Sequence, residues 1–317
     1  MKIGVVGVGA VGAATVLSLV ERGGTCREIV VIDRDANRAQ GVATDVGYAT
    51  PLSPTVEVRS GGYEDLTDAA LVVITAGVNE KAGGATDRSD PHGRLRLLHS
   101  NAKVYADIVP QVIAVAPQAV LMVVTDPPDP LADLTRRLAG HGRVFSTGTL
   151  IDSLRFRVHL ADRLRVQPRD VQAMVIGEHG TSEVLLWSSA AVGGTPVIEL
   201  LDQAGQSVAD TRQEIENDIR YANITIIEGT GASQYGIGAV SARLVEAVLR
   251  DERAVLPVAA YSPRHDVTLS LASVLGAGGV QHMHEPAMTA HERDALTHSV
   301  AVLREASEQA ITIGLRA

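Results

Sequence analysis

The 317-residue chain has a single cysteine, Cys26, so it can form neither an internal disulfide nor a cysteine-built zinc site. A reducing cytoplasm is the expected home for such a protein. It has no long block of Lys or Arg, and its formal net charge is -9. Nucleic acids and anionic membrane surfaces draw most of their affinity from clustered positive charge, so both are excluded as expected partners. An acidic small molecule is still compatible, because a few local arginines can hold one inside an acidic protein. No stretch approaches the ~20 unbroken apolar residues of a membrane span. The start, "MKIGVVGVGAVG", is apolar, but no small-residue cleavage site follows a basic region, and a soluble chain is expected throughout. Internal repeats and low-complexity segments are also missing.

What is present is a rhythm. "KIGVVG" (2–7), "EIVVID" (28–33), "TVEVRS" (55–60), "ALVVITAG" (70–77) and "AVLMVVTD" (119–126) read as strands, several of them apolar without alternation. That pattern fits strands covered on both faces. Helix-like segments lie between them, such as Ala10 to Glu21 and Arg94 to Ala116. The order predicts a parallel sheet flanked by helices over residues 1–147. Residues 148–317 read differently. Helical stretches at 152–164, 211–227 and 236–250 are interleaved with hairpin-like strands in "AVLPVAAYS" and "VTLSLASVLGAGGV", predicting an α+β second domain. The closing segment reads as an amphipathic helix opened by Thr289, with Glu292 completing a capping box.

"VVGVGAVG" places Gly7, Gly9 and Gly12 as G-x-G-x-x-G directly after a strand and at the opening of a helix. Gly7 allows the tight turn, Gly9 lets a pyrophosphate approach the backbone, and Gly12 allows close packing of helix on strand. The helix N-terminus favours the negative charge. The motif is weak alone, and the glycines could serve a turn only. Asp33 strengthens it, because a carboxylate at the end of the second strand can accept from the ribose hydroxyls of NAD and repel the extra phosphate of NADP. Adjacent Arg34 leaves an NADP reading open. The expected cofactor contacts are Gly7, Val8, Gly9, Ala10, Val11, Gly12, Asp33, Thr75, Ala76, Gly77, Asn101 and Val124.

"VIGEHGTSEVLLWS" holds His179 just after an apolar run, and a lone histidine is more often structural than catalytic. "GTLIDSLRFR" adds Asp152 and Arg155, three residues apart and so on one helix face, with Arg157 beyond. An aspartate can fix the tautomer of a histidine, and an arginine offers a two-pronged fork to a carboxylate. Ordinary helix salt bridges are the competing explanation. His282 and His284 in "QHMHE" could hold a metal, but a polar strand edge is preferred and no metal is expected.

Taken together, "GVGAVG", "VID", "ITAGVNEK", "RLRLLHSN", "TDP", "GTLIDSLRFR", "GEHG" and "GASQYGIG" resemble, in order and approximate spacing, the L-lactate/L-malate dehydrogenase family. The resemblance spans nearly the whole chain. It implies that the parallel sheet of residues 1–147 is doubly wound and of Rossmann type. It also implies hydride transfer between NAD and a small 2-hydroxy or 2-keto acid, in a homodimer or homotetramer. On that pattern His179 is the acid/base, Asp152 its partner, and Arg155 the carboxylate anchor. Asn101 contacts cofactor and substrate. Arg94, seven residues before Asn101, polarises the carbonyl when its loop closes, whereas Arg88 in "TDRSD" mimics a malate-type motif and Arg96 lies on a solvated helix face.

The chain also departs from the family pattern. The usual selecting position falls on Glu80, which would repel a second substrate carboxylate. The segment from Glu80 to Arg94 is longer than the common spacing by about eight residues, either a lid for a larger substrate or a surface insertion of no consequence. Asp126 replaces an asparagine whose amide can donate to the reacting oxygen; an ionised aspartate only accepts. Thr181 and Ser233 are small polar replacements in the pocket. An atypical or bulkier 2-keto acid is therefore expected, with two alternatives left open: reduction of an imine or cationic keto substrate, and an NAD-binding protein of little turnover.

Overall fold

The computed structural model describes residues 1–53, 55–78 and 95–317, and of Leu95 the backbone only. Six strands rise in parallel: β1 (Lys2–Val6), β2 (Glu28–Ile32), β3 (Glu57–Ser60), β4 (Ala69–Ile74), β5 (Val120–Val123) and β6 (Val144–Ser146). Helices α1 (Ala10–Arg22), α2 (Ala36–Gly47), α3 (Leu95–Val115) and α4 (Pro128–Ala139) connect or follow them. The strand order from one edge is β3-β2-β1-β4-β5-β6, so the winding reverses between β1 and β4. At that switch the two following loops diverge and leave a crevice at the carboxyl ends of the strands. Valine and isoleucine fill both faces of the central strands. One face packs under α1 and α2 and the other under α3 and α4, which is why these strands show no polar alternation.

The second half begins with α5 (Leu150–Leu164). It continues through short strands β7 (Val171–Gln172), β8 (Val175–Ile176), β9 (Val184–Leu185), β10 (Ala191–Val192) and β11 (Thr195–Pro196). Helices α6 (Val197–Gln203), α7 (Val208–Arg220), α8 (Ala222–Thr230) and α9 (Tyr235–Leu249) come next. Strands β12 (Ala254–Leu256), β13 (Ala259–Ser262), β14 (Val267–Ser270), β15 (Ala272–Gly276) and β16 (Gly279–His284) precede the closing α10 (Ala290–Gly314). The single helix expected over 211–227 is two, interrupted at Tyr221, whose backbone leaves the helical region at φ -109° and ψ 10°. The apolar spacing runs on through the break, so periodicity alone cannot show it. The capping box opening α10 is formed: Thr289 Oγ1 accepts from Glu292 N at 3.2 Å, and Glu292 Oε2 accepts from Thr289 N at 2.8 Å.

The expected boundary at 147/148 lies between β6 and α5, yet elements beyond it complete the first layer. β13 pairs antiparallel with β6, and β14 extends that edge. Helix α9 packs on α1 so closely that a Cβ at Gly238 would collide with Ala14. Helix α10 lies against α3 and α4. A separate core joins α5, α6 and α7 around Phe156 and Trp187, whose rings meet edge to face at 4.8 Å. Among the described residues no helix is long and apolar enough to cross a membrane.

Candidate active site

The crevice at the strand switch is walled on one side by Gly9, Ala10 and Val11, and on the other by Thr75, Gly77, Val78, Val124 and Thr125. The three motif glycines are separable by what a side chain would meet. At Gly7, held at φ +88°, a Cβ would collide with the Ala76 backbone; at Gly12 it would collide with the Gly7 carbonyl oxygen and Thr75 Oγ1. Both are packing glycines, and Thr75 Oγ1 donates to the Gly7 carbonyl oxygen to close the seam. At Gly9 a Cβ would meet nothing within 4 Å, so this is where the backbone is open to a ligand. Gly9 caps α1 without a side chain, and the first turn holds no acidic residue, leaving the positive end of the helix facing the crevice. Asp33, just past β2, turns its carboxylate back to this turn: Oδ2 accepts from Val8 N at 2.8 Å and Oδ1 from Asp35 N at 3.0 Å. The donor set fits a dinucleotide, with backbone N–H groups for the pyrophosphate and a fixed carboxylate for the adenosine ribose. Val8 and Ala76 shape the turn from beneath, and Arg38 at the start of α2 joins the lining.

Asn101 departs from its expected contact role. Its side chain is 0% exposed, with Oδ1 accepting from Val78 N and Nδ2 donating to the Asp126 carbonyl oxygen, both at 2.7 Å. It ties the ends of β4 and β5 together and so positions the crevice wall rather than lining it. Asp126, bonded to Pro127 through a cis peptide, does line the crevice and is partly exposed.

At the other end, α5 carries Asp152 and Arg155 on one face. The start of this helix is pinned by Thr149, whose N donates to Ser270 Oγ at 3.0 Å and whose Oγ1 donates to the Val175 carbonyl oxygen at 2.5 Å. The turn bearing His179 is pinned from the same residue, because Gly177 and Ser270 exchange both backbone hydrogen bonds at 2.9 Å. These anchors bring together side chains far apart in sequence. His179 Nδ1 lies 2.5 Å from Asp152 Oδ2, and Arg155 donates from NH1 to Asp152 Oδ1 at 2.8 Å. Asp152 is 2% exposed, so its carboxylate faces its partners rather than water. With Nδ1 held on the aspartate, Nε2 is the ring nitrogen that Asp152 does not engage. His179 and Arg155 both line the crevice, together with Ser233 on the connection between α8 and α9.

Two residues beyond the expected set belong here. Asp129, in the first turn of α4, is 1% exposed; its Oδ2 accepts from His179 N at 2.9 Å and its Oδ1 from Ser146 Oγ at 2.6 Å. Burial pushes its carboxyl up to about 6, against the lowering effect of these hydrogen bonds. In sequence an aspartate near a helix start reads as a helix-dipole residue, and nothing local links it to His179, fifty positions on. Asn223 on α8 lines the crevice too, and its one sequence signal is an amide on an otherwise apolar helix face. Glu80, Arg88 and Arg94 lie outside the described residues. Arg96 is exposed on α3, Thr181 is exposed beyond the histidine turn, and His282 and His284 are exposed on β16.

The chain is similar to known proteins over nearly its whole length. Residues 1–145 match the family described as lactate/malate dehydrogenase, NAD binding domain, and residues 149–313 match lactate/malate dehydrogenase, alpha/beta C-terminal domain. An L-lactate dehydrogenase of Thermus aquaticus is 44% identical over 314 residues, covering 97% of this chain and 98% of the relative. One of Deinococcus radiodurans is 44% identical over 310 residues, covering 98% and 99%. The crystal structure of the minor L-lactate dehydrogenase of Enterococcus mundtii, at 33% identity, superposes with a TM-score of 0.89 over 97% of this chain and 98% of that one.

Proposed function

The chain belongs to the lactate/malate dehydrogenase family and is an NAD-dependent oxidoreductase of 2-hydroxy acids; from that premise we propose that it interconverts an L-2-hydroxy acid and its 2-keto acid, with a substrate other than oxaloacetate and more polar or bulkier than pyruvate. The observation that carries the reading is the buried Asp152 shared between His179 and Arg155 on the wall of the dinucleotide crevice.

Arg155 gives one guanidinium nitrogen to Asp152, and its remaining N–H groups are arranged to take the substrate carboxylate as a charge-assisted pair. That anchor sets the keto carbon beside His179. Bound at the glycine turn, the nicotinamide coenzyme supplies the hydride to this carbon or takes it away. During reduction His179 Nε2 delivers a proton to the oxygen as negative charge develops there, and during oxidation it removes the hydroxyl proton. Asp152 holds the ring in the tautomer that presents Nε2 and stabilises the positive charge on the protonated imidazole. Arg94, placed by motif spacing and outside the described residues, is assigned to polarise the carbonyl. Assembly as a homodimer or homotetramer, read by light scattering, belongs to the same proposal.

Asp126 supports the substrate limit. Asp126 lines the crevice at the position where the family pattern has an amide, and a carboxylate there lacks the donor that an amide would offer to a developing alkoxide. Glu80 adds to this by its sequence position. The test follows NADH absorbance with pyruvate, oxaloacetate, bulky and polar 2-keto acids, and a cyclic imine. Turnover of at least one keto acid is expected, falling by roughly 10²–10⁴-fold in His179→Asn while NADH binding persists. Turnover of the imine alone, or unchanged rates in His179→Asn, would sink the proposal.

A further inference from the structure

The turn that carries His179 presents consecutive backbone N–H groups, and each goes to a different element. Gly177 N donates to the Ser270 carbonyl oxygen on β14 at 2.9 Å, Glu178 N to Ser299 Oγ on α10 at 2.8 Å, and His179 N to Asp129 Oδ2 on α4 at 2.9 Å. The middle anchor comes from the closing helix. Ser299 is 0% exposed there, among the core side chains Leu296, Val300 and Leu303. A buried hydroxyl is costly without a partner, and alanine is the better helix former at such a position. A serine inside a helix can satisfy itself on the carbonyl one turn back. The partners of Ser299 Oγ are instead Glu178 N and, at 3.1 Å, Ser182 Oγ.

The glycines on either side of the histidine fit this contact. Gly177 stands at φ +85°, and a Cβ there would lie 2.6 Å from Ser299 Oγ, while a Cβ at Gly180 would strike the Glu178 carboxyl group. That carboxylate folds back over the turn, where Oε2 accepts from Ser182 N at 3.0 Å and from Ser182 Oγ at 2.6 Å. The turn is thus closed on itself and pressed against one hydroxyl of α10.

We propose that Ser299 is a positioning residue for the acid/base, acting through Glu178 N to fix the turn from which His179 reaches Asp152 and the crevice. This rests on the dehydrogenase reading above. Asp152 and Arg155 are held separately, because α5 is pinned through Thr149 to Ser270 and to the Val175 carbonyl oxygen. Without the Ser299 hydroxyl the buried Glu178 N–H loses its acceptor, and the turn shifts while the substrate anchor and the glycine turn stay in place. A displacement on the order of 1 Å is enough to slow a reaction that depends on alignment. The loss therefore falls on kcat.

The test compares Ser299→Ala with Ser307→Ala. Ser307 lies further along the same helix, is 4% exposed, and its hydroxyl has no hydrogen-bond partner among the described residues. Both variants delete a buried hydroxyl from α10, but only the first deletes an anchor of the turn. Rates with NADH are measured for the full chain with pyruvate and with the fastest 2-keto acid of the panel above, and expressed per NADH-binding site from titration. Ser299→Ala should lower kcat by roughly tenfold, with KM for the keto acid and Kd for NADH each within about threefold of the unmodified protein. Ser307→Ala should keep all three within about twofold. A kcat in Ser299→Ala no lower than in Ser307→Ala, or a loss carried by KM or by NADH affinity, overturns the positioning role and leaves the dehydrogenase reading standing. NADH binding with no turnover of any 2-keto acid by the unmodified protein overturns that reading and this role with it.

Discussion

Replacing Asp129 with asparagine should make the protein more stable at neutral and alkaline pH than at acid pH, relative to the unmodified chain. In the folded protein the Asp129 carboxyl stands at about 6 rather than its ordinary 3.8, because burial disfavours the charge more than the His179 N–H and the Ser146 hydroxyl favour it. The groups facing it are Ser146 from β6 and Glu178 and His179 from the turn between β8 and β9, and the Glu178 carboxylate adds to the upward push. A carboxyl raised on folding contributes stability that is complete below 3.8 and is lost as the pH climbs through about 6. The difference corresponds to roughly 3 kcal/mol between pH 4 and pH 8, taking about 1.4 kcal/mol per pH unit. Asparagine has no such charge to bury. Its amide oxygen can still accept from His179 N, and its nitrogen can donate to Ser146 Oγ. Unfolding in urea at several pH values, for both proteins, gives the comparison directly. The stability difference between Asp129→Asn and the unmodified protein should grow by about 3 kcal/mol in favour of the variant across that range. A difference that stays flat would refute the account of Asp129 as a buried charge. Activity supplies a second check at pH 7.5. Asp129→Asn should keep kcat within a few-fold, whereas Asp129→Ala, which strands the His179 N–H, should lose roughly tenfold or more.

Two further outcomes follow from the same geometry. Asp33→Ala removes both the acceptor for Val8 N and the carboxylate that repels a 2′-phosphate, so the ratio of NAD to NADP turnover should fall by about tenfold or more; an unchanged ratio in steady-state assays would place cofactor selection elsewhere. Asp126→Asn restores a donor on the crevice wall and should raise kcat/KM for pyruvate by roughly tenfold, and a lower or equal value would count against the assigned effect of that carboxylate.

The local features of this protein were legible without coordinates. Strands β1, β2, β4 and β5 announce themselves because a strand covered on both faces must be apolar on both. Gly7, Gly9 and Gly12 are readable because few residues fit a turn pressed against Ala76, a helix pressed on the Gly7 carbonyl, and an open approach between them. Asp33 is readable from its distance to that turn. The break at Tyr221 was not, since apolar spacing continues across it. Nor was Asn101's position: the family pattern implied a ligand contact, while in the fold both ends of its buried amide bond the backbone at Val78 and Asp126.

Sequence by itself thus determined the dinucleotide half and the inventory of chemical groups, because those depend on neighbours a few residues apart and on periodic burial. Tertiary structure decided which of those groups meet. It joined β13 and β14 to the first sheet, set His179 against Asp152 from another element, placed Asp129 behind the histidine, and turned Asn223 into the crevice. Each of these is a long-range contact fixed by how helices and strands pack, and a residue's type and spacing carry no record of which distant surface it will face.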